Sequence, residues 1–518
     1  MRKQLTLILL GICCVATSTV SIAASAKIVN GSLPNSVTAQ AQRGTVSATT
    51  TQDDVPWGLD IIDGVDDGVY TYPDGATGEG VDVYVIDTGV YLKHWQFEGR
   101  AIAGIDLSSP GSDCAQTMKD GHGTHVAGTV GSKLFGVAKK VRIIDVRVLD
   151  NCGNGSTVAV EKAIKWVIRH HKSNRVAIAN MSLGVSLEPG DNSTEKLEGL
   201  IGNLLNDGVV AVVAAGNGDE NDKAVDSCGT SPARAPEALT VSALQEDLTR
   251  AGFANYGSCV DLFAPGVKVL STWNKSDLTV CPDSLRCLDT GTSMAVPHVA
   301  GIAALVAQKS PGACAQQVAE AVVAAAVKPI NDPLTPKVNL AQLNLDVLPA
   351  PSAPGQANRV ISTPGNTNMT VSWDAPCNGR RPITGSTITV RSNGSNIKTV
   401  KIKGPSTSKV VAGLVNGHEY SFSVSSKNDL GPGAVSGFSS SLKPFAFRVG
   451  MKKALSSFAS AGNGSKYRVE TSTSTVCKIV AGSPSKLQAL KQGTCTLVIR
   501  PPDADYTIKR DIKVWPRL

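Results

Sequence analysis

Val83-Tyr-Val-Ile-Asp87-Thr-Gly89 is an apolar run that stops at an aspartate followed by a small, turn-forming pair. It closes the segment Val81–Ile86, and similar runs recur at Val141–Leu149, Val176–Leu183 and Val209–Ala214. Strands that are apolar at nearly every position are covered on both faces. Between these runs, Ser156–His170 and Ser193–Asn206 have helical periodicity, each opened by a serine cap. Strand and helix alternate from Gly80 to about Ala326, which predicts an α/β fold built on a parallel, doubly wound sheet. Ligands of such sheets bind beyond the carboxyl ends of the strands. Asp87 falls there, and so does Asn217, which closes Val212-Val-Ala-Ala-Gly216-Asn217.

Two further stretches place reactive side chains among glycines where helices should begin. They are Asp120-Gly-His122-Gly-Thr-His125-Val-Ala-Gly128 and Gly291-Thr-Ser293-Met-Ala-Val-Pro297-His298-Val-Ala-Gly301. Amide hydrolysis at neutral pH needs a hydroxyl activated by a base. Ser293, opening a helix Met294–Gln308, is the candidate nucleophile, because free N–H groups and the helix dipole there favour a developing oxyanion. Pro297 is expected within the first turn of that helix, where a missing N–H costs nothing. His122, starting a helix His122–Gly131, is the candidate general base and then acid. Asp87 would hold its tautomer. His125 and His298 read as packed helix residues, and His170 and His171 as partners of a helix C-terminal dipole. The chain order Asp, His, Ser separates this arrangement from other hydrolase triads.

With three motifs agreeing in order and spacing, the segment from about Trp57 to about Ile330 resembles the subtilisin-like serine proteases, within them the proteinase K and aqualysin branch. The resemblance implies that the Asn217 side chain and the Ser293 N–H form the oxyanion hole. It implies that Gly153-Asn154-Gly155 is an edge pairing with an extended peptide backbone, and that Ser182-Leu183-Gly184 and Ala214-Ala215-Gly216 wall the pocket for the residue preceding the cut. Those walls carry no acidic side chain, so apolar and aromatic residues are expected there. Val185 stands where close relatives often have Gly. The resemblance also implies structural Ca²⁺, at Asp261 with the carbonyls of Pro236 and Ala238. A second site would use Asp60 and Asp63, helped by Asp66 and Asp67. Cys114–Cys152 and Cys228–Cys259 match the two bridges of aqualysin-like enzymes. Cys281 with Cys287 would close a small loop, and Cys477 with Cys495 would staple the last module. Cys314 and Cys377 either join two domains or stay free.

The rest of the chain sets the context. At 518 residues, about two to four domains are expected. Met1-Arg-Lys3, the apolar run to Ala24 and Ala24-Ser-Ala26 read as a signal peptide (1–26), so a secreted protein with no stable membrane span is expected. Of twelve cysteines, ten lie beyond the signal, an even number suited to disulfides. An arm (27–52) precedes the peptidase domain (53–345). With only about 25 to 30 residues there, it is too short for a separately folded pro-domain. Leu348-Pro-Ala-Pro-Ser-Ala-Pro354 reads as a linker. Short alternating runs follow, predicting two small all-β modules. Residues 351–444, with Val371-Ser-Trp373 and Tyr420, resemble a fibronectin type III domain. Residues 445–518 resemble a small Ig-like module. The net charge of +7 reads as spread along the chain, a solubility feature and not a nucleic-acid footprint. The expected function is that of a monomeric secreted serine endopeptidase acting on proteins and peptides, with the β-modules binding a surface or polymer. An adhesion protein with a degenerate protease, or a processing protease of narrow specificity, are the alternatives.

Overall fold

A computed structural model describes residues 6–8, 37–40, 49–108, 121–171, 175–274, 285–445, 447–448, 451–454, 468–480, 486–500 and 508–515. Its centre is a nine-stranded sheet. The strands, in chain order, are β1 (Asp82–Asp87), β2 (Ala101–Asp106), β3 (Arg142–Arg147), β4 (Ala177–Met181), β5 (Val209–Ala214), β6 (Leu239–Leu244), β7 (Leu262–Pro265), β8 (Lys328–Pro329) and β9 (Asn339–Leu340). They lie in the order 8-9-7-6-5-4-1-3-2. Every pairing is parallel except β8 with β9 at the edge.

The apolar runs are explained by what lies on each face. Successive residues of a strand point to opposite sides. Val83 and Val85 enter one core, and Tyr84 and Ile86 the other. The first core is closed by α1 (His122–Gly131), α4 (Thr292–Lys309) and α5 (Ala315–Ala325). The second is closed by α2 (Thr157–His170) and α3 (Glu195–Asp207), through Val160, Ile164, Leu197, Ile201 and Leu204. Each such fully buried aliphatic contributes about 1.5–3 kcal/mol. Ser156 caps α2, its side chain accepting from Ala159 N–H at 3.2 Å. The expected serine cap of the next helix is displaced. α3 starts one residue beyond Thr194, whose hydroxyl donates to Glu198 at 2.8 Å, and Ser193 N–H instead bonds to Asp191. Thr49–Asp53 lies between Val37–Gln40 and Val69–Pro73 in a separate three-stranded antiparallel sheet.

Beyond the α/β domain come two β-modules. The first pairs Asn358–Pro364, Asn368–Asp374 and Ser408–Ala412 in one sheet. Its second sheet holds Ser395–Lys403, Gly385–Ser392, Ser421–Asn428 and Gly431–Pro432. Trp373 and Tyr420 are both buried between them, and the Tyr420 hydroxyl accepts from Val415 N–H at 3.1 Å. That bond is the tyrosine corner of such sandwiches. The described parts of the last module close around the Cys477–Cys495 bridge, with Leu487, Leu497, Ile512 and Val514 buried.

The first β-module is fastened to the α/β domain. Cys314, at the start of α5, is bonded to Cys377 of the module. The proline-rich connection is itself packed, with Ser352 N–H on Gly379 O at 2.9 Å and Asn428 on Ser352 O at 2.7 Å. Arg359 reaches across to the carboxyl end of α2, donating to Ile168 O (2.7 Å) and His171 O (3.2 Å). It also lies 3.7 Å from Asp207, the last residue of α3, while Asn358 donates to Asn206 O at 2.8 Å. Helix carboxyl ends leave unpaired carbonyls and a partial negative charge, and the module supplies the donors and the cation. His171 does not merely sit on a helix dipole as expected. It is buried, paired with Asp207 at 3.0 Å, and His170 bonds to the Tyr84 hydroxyl at 2.9 Å. Arg359→Ala is therefore expected to destabilise the protein by about 1–3 kcal/mol, since it leaves two helix-end carbonyls without their donor and removes a cation beside Asp207. The denaturation midpoint should fall while kcat/KM on a short peptide stays unchanged.

Candidate active site

β1 delivers Asp87, fully buried, to the carboxyl edge of the sheet. Its Oδ1 accepts from Thr88 N–H at 2.7 Å and lies 2.8 Å from His122 Nδ1. With Nδ1–H donated to the carboxylate, the lone pair of the imidazole is on Nε2, where a base needs it. Small residues permit this approach. A Cβ on Gly123 would sit 2.4 Å from Gly89 O, and one on Gly128 would sit 2.1 Å from the Thr272 hydroxyl. α1 can thus press its first turn against the β1 turn only because Gly123 lacks a side chain, and Gly128 lets the same helix approach Ser271 and Thr272.

Ser293 is the second residue of α4, not the residue before it, and is completely buried. Pro297 is consequently the sixth helical residue, two residues deeper than expected and beyond the first turn. A proline there cannot donate to the carbonyl four residues earlier, which is that of Ser293. The Ser182 hydroxyl fills the gap, donating to Ser293 O at 2.8 Å. Asn180 Nδ2 in turn donates to the Ser182 hydroxyl at 3.0 Å. The Ser293 hydroxyl itself donates to Ser182 O at 3.1 Å. Breaking that bond and rotating about χ1 is what would turn Oγ toward a substrate.

Asn217 is buried just beyond β5. Its Oδ1 accepts from Thr292 N–H (2.9 Å) and from the Thr292 hydroxyl (2.7 Å), while its buried Nδ2 has no partner among the described residues. An amide held by its oxygen with its N–H₂ left over is poised to donate to something not yet there. Gly216 before it has φ +107°, and a Cβ would come 2.3 Å from Asn255 Nδ2. Asn255 is a positioning residue that sequence reasoning missed. Its buried amide accepts from Gly218 N–H and Val225 N–H, both at 3.0 Å, and donates to Ala215 O at 3.0 Å. Thr292 was missed too. Neither has a local signal, since a lone Asn or Thr in a loop is ordinary.

The expected peptide edge is a short strand, Asn154–Ser156. Asp150 Oδ1 accepts from Cys152 N–H and Asn154 N–H, at 2.9 and 2.8 Å, and Gly153 takes φ +76° to make the turn. A Cβ at Gly155 would meet Leu149 Cδ2 at 2.4 Å. The chain's own Thr6–Ile8 pairs antiparallel with this strand, Leu7 opposite Gly155. The expected pocket walls, Ser182, Leu183, Gly184, Ala214, Ala215 and Gly216, are all buried. Val185 pairs with Ser231 in a separate two-stranded ladder.

The two histidines that follow the candidate residues by about a turn are occupied. His125 lies 2.9 Å from Val269 O, and burial holds it below the usual imidazole range. His298 lies 2.9 Å from Met294 O, and burial pushes it down to about 3. Both are neutral structural groups.

Among the described residues, no three His, Cys, Asp or Glu side chains converge where they could hold a metal. A cation site here must be completed by carbonyls. Asp261 fits that requirement. Its N–H donates to Thr240 O (2.9 Å) and its Oδ2 accepts from Thr240 N–H (2.8 Å), which sets the carboxyl against the Pro236–Thr240 segment. The residue is exposed, its Oδ2 is held on Thr240 N–H, and lost solvation pushes the carboxyl up to about 6. Asp60 and Asp63 are differently engaged. Asp60 accepts from Asp67 and Gly68 N–H, Asp63 from Val65 and Thr71 N–H, so both brace the loop that follows them. Burial, with repulsion from Asp60 and Asp67, pushes Asp63 up to about 6.

Cys228 is bonded to Cys259. Cys152 and Cys287 are also disulfide-bonded. Their expected partners, Cys114 and Cys281, lie outside the described residues, as does most of the expected signal peptide. No helix among the described residues is long and apolar enough to cross a membrane.

Comparison with known proteins adds the following. The family profile described as the subtilase family matches residues 78–347, just over half of the chain, and the fibronectin type III profile matches residues 352–441. An extracellular serine proteinase of Thermus sp. (strain Rt41A) is 45% identical over 281 residues, covering 54% of this chain and 63% of that protein. A cuticle-degrading protease of Metarhizium anisopliae is 43% identical over 263 residues, covering 50% and 62%. The chain therefore spans somewhat less than two thirds of the length of these relatives. A solved cold-adapted subtilisin-like serine proteinase is 36% identical, covers 56% of this chain and 98% of its own, and superposes with a TM-score of 0.47.

Proposed function

This chain belongs to the subtilase family, and from that premise we propose that it is a secreted serine endopeptidase whose triad is Asp87, His122 and Ser293. Ser293 Oγ attacks the scissile carbonyl carbon while His122 Nε2 takes its proton. The same imidazolium then protonates the leaving amine, and water repeats the sequence to release the acyl group. Asp87 keeps Nδ1 protonated and stabilises the imidazolium. The oxyanion receives hydrogen bonds from Asn217 Nδ2 and from Ser293 N–H, which lies in the first helical turn and has no intrahelical acceptor. One observation carries this reading: the Asn217 amide, fixed through Oδ1 on Thr292, with its buried Nδ2 unpartnered.

Substrate would lie along Gly153, Asn154 and Gly155 as an added strand, a mode that binds backbone and demands little sequence. The pairing of Thr6–Ile8 with that edge supports it. A pocket walled by Leu183, Gly184, Ala214, Ala215 and Gly216 favours apolar or aromatic side chains before the cut. The test is hydrolysis of casein and of short chromogenic peptides by the purified protein, with and without a serine-directed covalent inhibitor. Inhibitor-sensitive cleavage after Phe or Leu and little after Lys is expected. Inhibitor-resistant cleavage would overturn the mechanism, and preference for Lys would overturn the pocket.

Calcium is proposed at Asp261 with the carbonyls of Pro236 and Ala238, where oxygen-only ligation suits that ion and the ion would supply a countercharge to the carboxylate. Ca²⁺ bound to the native state stabilises it by mass action. Excess chelator is expected to lower the melting temperature more than the initial rate, and Asp261→Asn should abolish that difference. A melting temperature indifferent to chelator would remove the site.

A further inference from the structure

The charge of this chain is not spread evenly. Residues 1–350 hold 27 Lys/Arg against 36 Asp/Glu, whereas residues 351–518 hold 23 against 7. The reading of +7 as a diffuse solubility feature averages an acidic peptidase with strongly basic β-modules. We propose that the first β-module binds an acidic polysaccharide through the outward face of its four-stranded sheet, centred on Lys401, Lys403 and Lys427. This names a ligand class for the surface or polymer contact expected of the modules. Its role beside the active site rests on the peptidase reading; the binding does not.

The register places these lysines together. Gly385, on the second strand of that sheet, pairs with Lys403 on one side and with Lys427 on the other. Directly paired residues share a face, and two strand spacings separate the outer pair by about 10 Å. The central position is a glycine, and the Lys427 stem lies over it, Cε being 3.5 Å from where a Cβ would stand. Lys401 follows two residues before Lys403 on the same face. All three lysines are exposed. The opposite face, with Ile388, Val390, Phe422 and Val424, fills the core.

Like charges across a sheet cost stability, and this module does nothing to offset them. Residues 351–444 contain ten Lys/Arg and three acids. Each acid is engaged elsewhere: Asp374 with Arg359, Glu419 with Lys443 (3.4 Å) and Asp429 with Arg381 (3.7 Å). Attraction to the acidic peptidase does not account for the lysines, because docking there uses Asn358, Arg359 and Cys377. An array of unneutralised ammonium groups on one face of a sheet fits a polymer carrying repeated anionic groups. Lysine is a mobile point charge, suited to irregularly placed carboxylates or sulfates and not to planar bidentate reading. Single-stranded nucleic acid would call for aromatic stacking platforms, and no aromatic is among the large apolar side chains exposed in the described parts of either module.

The test uses the full chain carrying Ser293→Ala, so that binding is read without self-digestion. Retention is measured on immobilised alginate and heparin, and in parallel on duplex DNA and on phosphatidylglycerol vesicles, at increasing salt. Binding to the two glycans is expected, weakening steeply with salt. The triple variant Lys401→Glu, Lys403→Glu, Lys427→Glu should bind at least about tenfold more weakly. The Gln triple should fall between, and both triples, in the active enzyme, should keep peptide kcat/KM. No glycan binding near 0.1 M salt, glycan binding unaltered by either triple, or tighter binding to DNA or vesicles than to both glycans would each overturn the proposal. An unmutated protein that cleaves no peptide would overturn the peptidase reading alone.

Discussion

Ser293→Ala, His122→Ala and their double variant are expected to share one large loss of kcat, about 10⁶-fold, with KM for a short peptide nearly unchanged. A hydroxyl without its base, or a base without its hydroxyl, performs no step, so removing the second partner costs little more than removing the first. The geometry gives the same expectation residue by residue. His122 is aimed by Asp87 at 2.8 Å, and Ser293 is held in the opening turn of α4 by the Ser182 hydroxyl on its carbonyl. Neither substitution removes a large side chain from the core, so the variants should fold. The measurement is steady-state kinetics on a chromogenic peptide alongside thermal denaturation. Multiplicative losses in the double variant would mean that the two residues act separately, and a Ser293→Ala enzyme of near-native rate would end the mechanism.

Asn217→Ala should lower kcat by about 10²- to 10³-fold with little effect on KM, the loss expected for one oxyanion donor. The amide contacts the reacting oxygen only after charge has developed on it, so ground-state binding is spared. The amide is also held in place, Thr292 donating twice to its Oδ1. Thr292→Val keeps the backbone donor and removes the hydroxyl, so a smaller loss of kcat of the same kind is expected. A change confined to KM in Asn217→Ala would make that side chain a substrate-binding group instead.

Much of this was legible in the chain because it is local. A run such as Val83 to Ile86 must be covered on both sides, and its aspartate must then emerge at a strand end, whatever the rest of the fold does. Gly123 and Gly128 announce close packing by their identity. Trp373 and Tyr420 mark a sandwich because such sandwiches need a buried aromatic and a tied corner. What failed was also local inference, applied where a tertiary partner decides. Pro297 was placed in a first turn because an interior proline forfeits a hydrogen bond. The fold accepts it deeper because Ser182, 111 residues away, replaces the missing donor. His171 looked like a dipole partner until α3 brought Asp207 to it.

The chain alone carries the alternation of strands and helices, the order of Asp87, His122 and Ser293, and the fibronectin type III character of the first β-module. Those follow from periodicity and from residues whose backbone demands are their own. Packing settles that Cys314 meets Cys377, that Arg359 caps two helices of the α/β domain, that Asn255 holds the loop bearing Asn217, and that Lys401, Lys403 and Lys427 share one face. Each of those depends on segments far apart in the chain arriving side by side. A hydrogen bond or a charge array exists only once packing has set the distance, and no single stretch of residues carries that distance.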